Sequence, residues 1–341
     1  MLAPSADKVR VVKQINRPEI VFAAARRPGT SRLFFGGSDF KVHSIDLAAE
    51  KPEPKELGKH DSYVTGLALA GPHLVSGGYD GRLIWWDVDS GQMIRTVPAH
   101  SRWIRRVAAT PDGSVVASVA DDMVCRLWNG KTGELGHELR GHAELTPHHF
   151  SSMLFACAVS PDGRLVATGD KVGHVNIWEI QSGSRIAQFD APGFYTWDPV
   201  QRRHSIGGIR ALAFSPDGSR LAIGGIGRIG NIDHLDGKPR VEVFDWRKAH
   251  RLGEAQGEGR GLIERLVFHP GGEWLLGAGG YSDGVLLFCD VEAKRVLSQA
   301  KAPMYVHDFD LDQCTSTLFA VGHHRLATVR IGDDAPGARK T

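Results

Sequence analysis

The sequence predicts an all-β protein in which one four-stranded antiparallel unit is repeated around an axis. Short apolar runs recur along the chain and are separated by turns rich in Gly, Pro and Asp. The turn Ser/Thr-Pro-Asp-Gly recurs at 110–113, 160–163 and 215–218. A polar residue that closes every third run recurs at intervals of 41, 42, 50, 66 and 45 residues, at Asp46, Asp87, Asn129, Glu179, Asp245 and Asp290. Such a period indicates a repeat architecture.

Each unit has the same four segments. In the second unit they are VTGLALA at 64–70, HLVSGG at 73–78, RLIWWDV at 82–88 and the more polar QMIRTV at 92–97. The first three do not alternate cleanly between apolar and polar residues, which is typical of sheets buried on both faces. Burial on both faces also makes room for the adjacent Trp85 and Trp86. Four-stranded sheets stacked in this way around a central hole form a β-propeller.

The number of units predicts seven blades in a single domain, residues 1–341. First strands begin near residues 20, 64, 104, 153, 209, 263 and 306. The last unit supplies three strands before the chain ends, and the strand-like residues 8–15 are available at the other end as its fourth. Pairing of the two ends would remove the last exposed sheet edge. We therefore predict a seven-bladed β-propeller that is closed by its N-terminal strand, with a flexible tail at 334–341.

The third strands resemble a known family. LIWWDVDSG at 83–91, VCRLWNGKTG at 124–133 and VNIWEIQSG at 175–183 resemble the motif of the WD40 repeat, and the resemblance covers residues 8–333. It implies a structural network of His, Ser or Thr, Asp and Trp within a blade. Blades two and three match it at His60, Ser76, Asp80 and Trp86, and at His100, Ser118, Asp122 and Trp128.

The fourth blade departs from this pattern. It keeps Thr168 and Trp178 but has Val172 at the position of the Asp. Other blades lack the Trp, with Ile45, Phe244 or Cys289 in its place. We expect the departing blades to rely on apolar packing alone.

Composition excludes several classes of function. Lys plus Arg number 41 and Asp plus Glu number 39, so no strong net field draws the chain to nucleic acid. No apolar run has the length of a signal peptide core or a membrane span. The four cysteines stand far apart, as expected of buried thiols in a reducing compartment. We expect a cytoplasmic protein without a membrane, metal or cofactor requirement.

Candidate functional residues lie where the chain departs from its own repeat. Insertions occur at 143–152, 191–208 and 226–240. In a four-stranded meander these connections emerge on one face, called the top face here, over blades three to five. Aromatic and Arg residues are enriched where partners dock. The predicted partner-binding residues of this sector are Phe194, Tyr195, Trp197, Arg202, Arg203, His204 and His234. The alternative is that Phe194 and Trp197 pack their own loop onto the rim.

A second candidate set precedes the first strands on the same face. WD40 proteins commonly contact partners through this position, which here holds Tyr63, Trp103 with its neighbour Arg102, and Tyr305. An exposed aromatic arc around the channel mouth would suit a peptide or a protein loop. The alternative is ordinary rim packing.

The sequence thus predicts a non-enzymatic scaffold that binds a protein or peptide partner through its top face. The alternative is a small-ligand-binding or hydrolytic propeller enzyme that uses the channel mouth. A scaffold should expose an aromatic patch there, whereas an enzyme should gather ionisable groups with shifted pKa values at one concave spot. The sequence leaves the partner, the biological process and the oligomeric state open.

Overall fold

The computed structural model describes residues 4–200, 204–230 and 236–332. Within these ranges the chain is an all-β propeller with four-stranded antiparallel blades. Short 3₁₀ turns occur at Ala6–Lys8 and Pro192–Phe194. No helix in the described ranges has the length and apolar character needed to cross a membrane.

The strands follow the predicted repeat. In chain order the first part of the molecule contains β1 (Arg10–Arg26), β2 (Arg32–Gly37), β3 (Lys41–Asp46), β4 (Lys55–Lys59), β5 (Val64–Ala70), β6 (His73–Gly78), β7 (Arg82–Asp87), β8 (Met93–Pro98), β9 (Ile104–Ala109), β10 (Val115–Ala120), β11 (Val124–Asn129) and β12 (Leu135–Arg140). The middle part contains β13 (Leu154–Val159), β14 (Leu165–Asp170), β15 (His174–Glu179), β16 (Arg185–Asp190), β17 (Tyr195–Asp198), β18 (His204–Gly207), β19 (Ile209–Phe214), β20 (Arg220–Ile226), β21 (Pro239–Asp245) and β22 (His250–Gln256). The last part contains β23 (Leu262–Phe268), β24 (Leu275–Gly280), β25 (Gly284–Cys289), β26 (Val296–Ala302), β27 (Val306–Leu311) and β28 (Thr317–Arg330).

Five sheets are four-stranded meanders in which each strand pairs with the next one along the chain. They are blade two (β5–β8), blade three (β9–β12), blade four (β13–β16), blade five (β19–β22) and blade six (β23–β26). A separate two-stranded ladder, β17–β18, lies in the insertion before blade five. The first strands of successive blades contact one another and surround a central channel.

The two ends of the chain meet in a single six-stranded sheet of order β27-β28-β1-β2-β3-β4. One end of β1 pairs with β28, from Arg10 opposite Arg330 to Asn16 opposite Arg325, so the N-terminal segment closes the ring as predicted. The other end of β1 pairs with β2. Because β1 is continuous, the described strands form six sheets of four or more strands, and not the seven separate sheets that the sequence predicts.

The adjacent tryptophans of β7 face opposite sides of their sheet, as successive side chains of a strand do. Trp85 packs against blade three, and its indole donates a hydrogen bond of 2.9 Å to the carbonyl of Gly130. Trp86 packs in a cluster that includes Phe34 and Val42 of the six-stranded sheet. Both side chains are fully buried. Each tryptophan therefore joins its blade to a different neighbour.

Candidate functional site

The first two insertions contact each other on the top face. The ring of His148 stacks on Trp197 with the centroids 4.0 Å apart, and its Nδ1 lies 2.9 Å from the Tyr195 hydroxyl. Phe150 packs against the other side of this group, 5.6 Å from Trp197. The aromatic residues of β17 are thus held by a histidine from the connection between blades three and four.

The third insertion joins the same group. The backbone N–H of Ile229 donates to the Thr196 hydroxyl at 3.1 Å. Ile206 packs on a small apolar cluster formed by Ile226, Ile229 and Leu262. The described parts of all three insertions therefore lie together in one sector, as the topology predicts.

The side chains of this sector are less accessible to a binding partner than the sequence suggests. Phe194 is only 1% exposed and belongs to the apolar core between blades four and five, so its prediction as a partner contact is wrong. Tyr195 and Trp197 are half-buried because His148 covers them. Arg202, Arg203 and His234 lie outside the described residues, as does the side chain of His204.

A continuous aromatic arc borders the channel mouth over the six-stranded sheet and blades two and three. Phe40 contacts Tyr63 at 5.5 Å, Tyr63 contacts Tyr79 at 5.7 Å, and Tyr79 stacks in parallel on Trp103 at 4.5 Å. Trp103 is 50% exposed, Tyr63 39% and Phe40 38%. Tyr63 and Trp103 are among the residues predicted from the sequence, whereas Phe40 and Tyr79 are not; each of the latter lies next to an Asp, Asp39 or Asp80, in the turn between a second and a third strand. We call these four residues the aromatic arc.

A cavity of about 420 Å³ opens beside the outer end of the aromatic arc. Tyr79, Arg102, Trp103 and Met153 are among its lining residues. Arg102 is exposed at its edge. The arc and this cavity form a concave surface that is aromatic on one side and polar on the other.

Arg105 fixes the inner side of the aromatic arc. Its guanidinium binds both carboxylate oxygens of Asp121, at 2.8 and 2.6 Å, and donates to the Tyr79 hydroxyl at 2.6 Å. It also lies over the rings of Tyr79 and Trp103, at 5.0 and 5.3 Å from their centroids. A paired cation beneath two stacked rings holds them in place, so the arc is preformed.

Ionisable side chains gather on the opposite side of the mouth. The Tyr305 hydroxyl donates to Glu264 at 2.6 Å, and the rings of Tyr305, His307 and His323 are in mutual contact. Burial raises the pKa of Tyr305, lowers the pKa of His307 to about 4 and lowers that of His323. Burial thus keeps all three groups neutral near pH 7. Tyr305 is engaged with Glu264, and ring contacts through His307 and Phe22 link it to Tyr63 of the arc.

The channel narrows below the mouth. Asp308 accepts hydrogen bonds from Arg106 at 3.0 Å and from the backbone N–H of Ala24 at 3.3 Å, and Arg265 lies 3.2 Å from the same carboxylate. Arg106 lines both an upper chamber of about 160 Å³ and a lower chamber of about 670 Å³. The mouth is therefore a shallow depression with a charged floor.

Hydrogen-bonded networks brace the blades under this face. In blade two, Trp86 donates to the Ser76 hydroxyl at 2.9 Å, Ser76 lies 2.8 Å from His60, and His60 lies 3.0 Å from Asp80. The matching distances in blade three, for Trp128, Ser118, His100 and Asp122 in the same order, are 2.9, 2.7 and 3.0 Å.

Blade four has the same network, which corrects the expectation that it relies on apolar packing alone. Asp170 lies 2.8 Å from His142, His142 lies 2.8 Å from the Thr168 hydroxyl, and Trp178 donates to Thr168 at 3.0 Å. The carboxylate comes from the last residue of β14 instead of from the turn, where Val172 stands.

One group of potential metal ligands occurs among the described residues, at Glu19, Asp39 and His43. Several of its polar atoms are engaged with one another: Arg17 donates to Glu19 at 2.7 Å and Nε2 of His43 lies 2.8 Å from Asp39, whereas Nδ1 of His43 is buried without a hydrogen-bond partner. The group lies in the six-stranded sheet, and its three residues are not among those that line the upper chamber of the channel.

Comparison with known proteins agrees with the repeat pattern. The family model of the WD domain, G-beta repeat, matches residues 53–87, 91–129, 133–179 and 197–228. The chain is 28% identical to the nuclear distribution protein PAC1 of Arthroderma otae over 54% of its own length and 42% of that protein. It is 28% identical to the protein LST8 homolog of Drosophila melanogaster, over 49% and 53% of the two chains. It is 30% identical to guanine nucleotide-binding protein subunit beta-1 of the same organism, over 34% and 33%. The chain thus spans about half or less of each of these relatives.

Proposed function

Because the chain belongs to the WD40-repeat family of β-propellers, we propose that it is a non-enzymatic scaffold that binds a protein or peptide partner through its top face. The observation that carries this proposal is the aromatic arc. Three of its four rings are more than a third exposed, although burial of each would be favourable. Exposed aromatic clusters around a preformed depression are typical of protein-binding sites.

The relatives support an interaction role as far as their names go. One of them is named as a subunit of a guanine nucleotide-binding protein, which is a role defined by assembly with other chains. A propeller serves such a role because its rigid blades carry loops that differ from blade to blade.

We propose that the partner contacts the aromatic arc first and the insertions second. The arc lies over the six-stranded sheet and blades two and three, and so overlaps the sector of blades three to five that the sequence favours only at blade three. The insertions pack on each other through His148 and form a wall beside the mouth. Leu145 is an exposed apolar residue of this wall. A peptide lying along the arc would meet the wall at its end.

We also propose that the ring has seven blades in one domain. The N–H of Ile331, just after β28, donates to the carbonyl of Ser316, just before it, at 2.8 Å, so the two ends of β28 lie side by side. His324 has a φ of 56°, the conformation that a tight hairpin requires. The six-stranded sheet then divides into one blade formed by β27, the two halves of β28 and the start of β1, and another formed by the end of β1 with β2–β4.

The free cysteines support a reducing compartment, and we propose the cytoplasm. Cys125, Cys157 and Cys289 are buried and unpaired, and Cys314 is exposed and unpaired. Burial raises the pKa of Cys157 and Cys289 to about 12, so these thiols are unreactive.

The specific observation that favours the alternative, a small-ligand or hydrolytic enzyme, is the cluster of Glu264, Tyr305, His307 and His323. The chamber beside it holds about 160 Å³, whereas small-molecule sites are usually about 300–1,000 Å³. An exposed surface that is aromatic and preformed fits a scaffold better than an enzyme.

The test is selection of binding peptides from a random displayed library on the immobilised protein. Selected peptides should bind a Tyr63→Ala, Trp103→Ala double variant at least about tenfold more weakly, because rings of this kind carry about 2 kcal/mol or more at interfaces. The matched control is Ile186→Ala, which removes an exposed apolar side chain from an outer strand. Peptides that bind the double variant as tightly as the wild type would contradict the proposal.

A further inference from the structure

Arg210 is a cation without a partner at the channel mouth. It lies on β19, and its guanidinium carbon is 3.7 Å from the centroid of the Phe155 ring. Its Nε is buried and has no hydrogen-bond partner, and no carboxylate in the described ranges lies within 4.0 Å of it. The residue as a whole is only half-buried, but a buried N–H group without an acceptor is costly, so its retention calls for an explanation.

Lys171 adds a second unpaired positive charge close by. Its side chain is 7% exposed, and its ammonium reaches only the carbonyl of Ser151, at 3.4 Å. Burial lowers the pKa of Lys171, and the charge of Arg210 lowers it further. The two cations thus repel each other in the free protein.

Two of the other cations at the mouth are already paired with carboxylates, and Glu264 is hydrogen-bonded but keeps its charge. Arg105 is bound by Asp121 and Arg106 by Asp308, while Glu264 accepts the hydrogen bond of Tyr305. The upper chamber of about 160 Å³ is lined by Arg105, Arg106 and Arg210 but by a single carboxylate, Glu264. Among the described residues, Arg210 and Lys171 are therefore the cations near this chamber without a direct carboxylate contact, and Glu264 is the carboxylate that shares the chamber with Arg210.

We propose that the upper chamber receives the carboxylate of an Asp or Glu side chain from the bound peptide, with Arg210 as its main partner and Lys171 as a supporting charge. The proposal rests on the scaffold function proposed above and names the chemistry of the partner. The planar guanidinium, held flat on Phe155, presents its N–H groups for a bidentate bond to a carboxylate. The chamber has room for one side-chain head group, and the rest of the peptide would lie on the aromatic arc.

The test uses the peptides selected on the wild-type protein. We expect an acidic residue at one fixed position, and replacement of it by Asn or Gln should weaken binding at least about tenfold, the usual size of a lost charge-assisted hydrogen bond. Arg210→Gln should weaken binding of the acidic peptide by a similar factor. It should not further weaken binding of the peptide in which Asn or Gln replaces the acidic residue. The matched control is Arg295→Gln, an exposed arginine on the opposite face, which should leave both affinities unchanged.

The possible failures are distinguishable. Peptides that depend on the aromatic arc but show no fixed acidic position, or that bind Arg210→Gln with unchanged affinity, would overturn this proposal and leave the scaffold function intact. Selection of no arc-dependent peptide would overturn both. If a phosphoserine peptide bound more tightly than its Glu counterpart, the chamber would recognise a phosphoryl group and not a carboxylate. That result would also overturn the proposal.

A measurement without any peptide separates binding from a structural role. Arg210→Gln should unfold at the same temperature as the wild type or above it, because the variant removes a half-buried charge that has no carboxylate partner among the described residues, together with its repulsion from Lys171. A clearly lower unfolding temperature would mean that Arg210 stabilises the fold, and this would overturn the proposal.

Discussion

The hydroxyl of Ser76 shows how single residues support the binding face. It accepts a hydrogen bond from the indole of Trp86 and can donate to His60 Nε2, while His60 Nδ1 donates to Asp80. Burial is the largest single effect and works to raise the pKa of Asp80, but the interactions with His60 and the backbone hydrogen bonds from Asp61 and Arg82 together outweigh it and leave that pKa lowered. Asp80 also accepts from the backbone N–H groups of Asp61 and Arg82. The network thus pins the turn that carries Tyr79 of the aromatic arc.

Loss of the carboxylate should destabilise the blade. Asp80→Ala leaves buried donors without an acceptor and should lower the free energy of unfolding by about 1–3 kcal/mol. Asp170→Ala should lower the free energy of unfolding by a similar amount, since Asp170 has the same role in blade four. Denaturant unfolding measures both, with Asp89→Ala, an exposed residue, as the control expected to stay within about 0.5 kcal/mol. If Asp170→Ala had the same denaturant midpoint as the wild type, the hydrogen-bonded network of blade four would contribute nothing to stability.

Sequence comparison could find the networks of blades two and three because their four residues keep the same spacing. It could not find that of blade four, because Asp170 precedes the expected position by two residues and only the folded turn shows that it reaches His142. Phe194 was misassigned for a related reason. Whether an aromatic residue of an insertion faces solvent or the core depends on the neighbouring blade, which supplies a cavity for it here.

At the scale of elements, the turns between first and second strands repeat one design. Asp112, Asp162 and Asp217 each accept hydrogen bonds from the backbone N–H two residues later, and the glycine that follows each Asp has a positive φ of 68–71°. The hydrogen bonds with Thr110 and Ser114 lower the pKa of Asp112 to about 2, and those with Ser215 and Ser219 lower that of Asp217 to about 2.

These turns should make stability depend on pH in the acid range. Because the folded-state pKa values of Asp112 and Asp217 lie below the unfolded value of 3.8, their contribution is present at neutral pH and is lost as pH falls from about 4 towards 2. The urea midpoint of the wild type should fall over that range, and an Asp112→Asn, Asp217→Asn double variant should show a smaller fall. An equal fall in the two proteins would contradict the assignment of the pH dependence to these turns.

At the scale of the whole molecule, ring closure holds the two ends of the chain in one sheet. The sequence predicts it, since the last repeat lacks a strand and residues 9–15 have the pattern to supply one. The count of separate sheets could not be predicted, because it depends on whether β1 bends or continues between its two partners. The lack of a carboxylate beside Arg210 was equally hidden, since it depends on which side chains of the described parts of the neighbouring blades reach it.

Removal of the closing strand should weaken the whole ring. A chain that lacks residues 1–16 leaves the edge of β28 unpaired and should unfold at a lower temperature and self-associate. Thermal unfolding and size-exclusion chromatography measure these effects, and a synthetic peptide of residues 8–17 should restore the unfolding temperature. A truncated chain that is monomeric and as stable as the full chain would show that the pairing contributes nothing.

The proposed binding face depends on features at all three scales. Hydrogen-bonded networks fix its turns, the insertions border one side of it, and the closed ring keeps the aromatic arc rigid. The most direct test is a crystal structure of the protein with a selected peptide. Our account predicts that the peptide lies along Phe40, Tyr63, Tyr79 and Trp103 and places a carboxylate on Arg210. A peptide bound on the opposite face or along the outer strands, with the channel mouth empty, would contradict it.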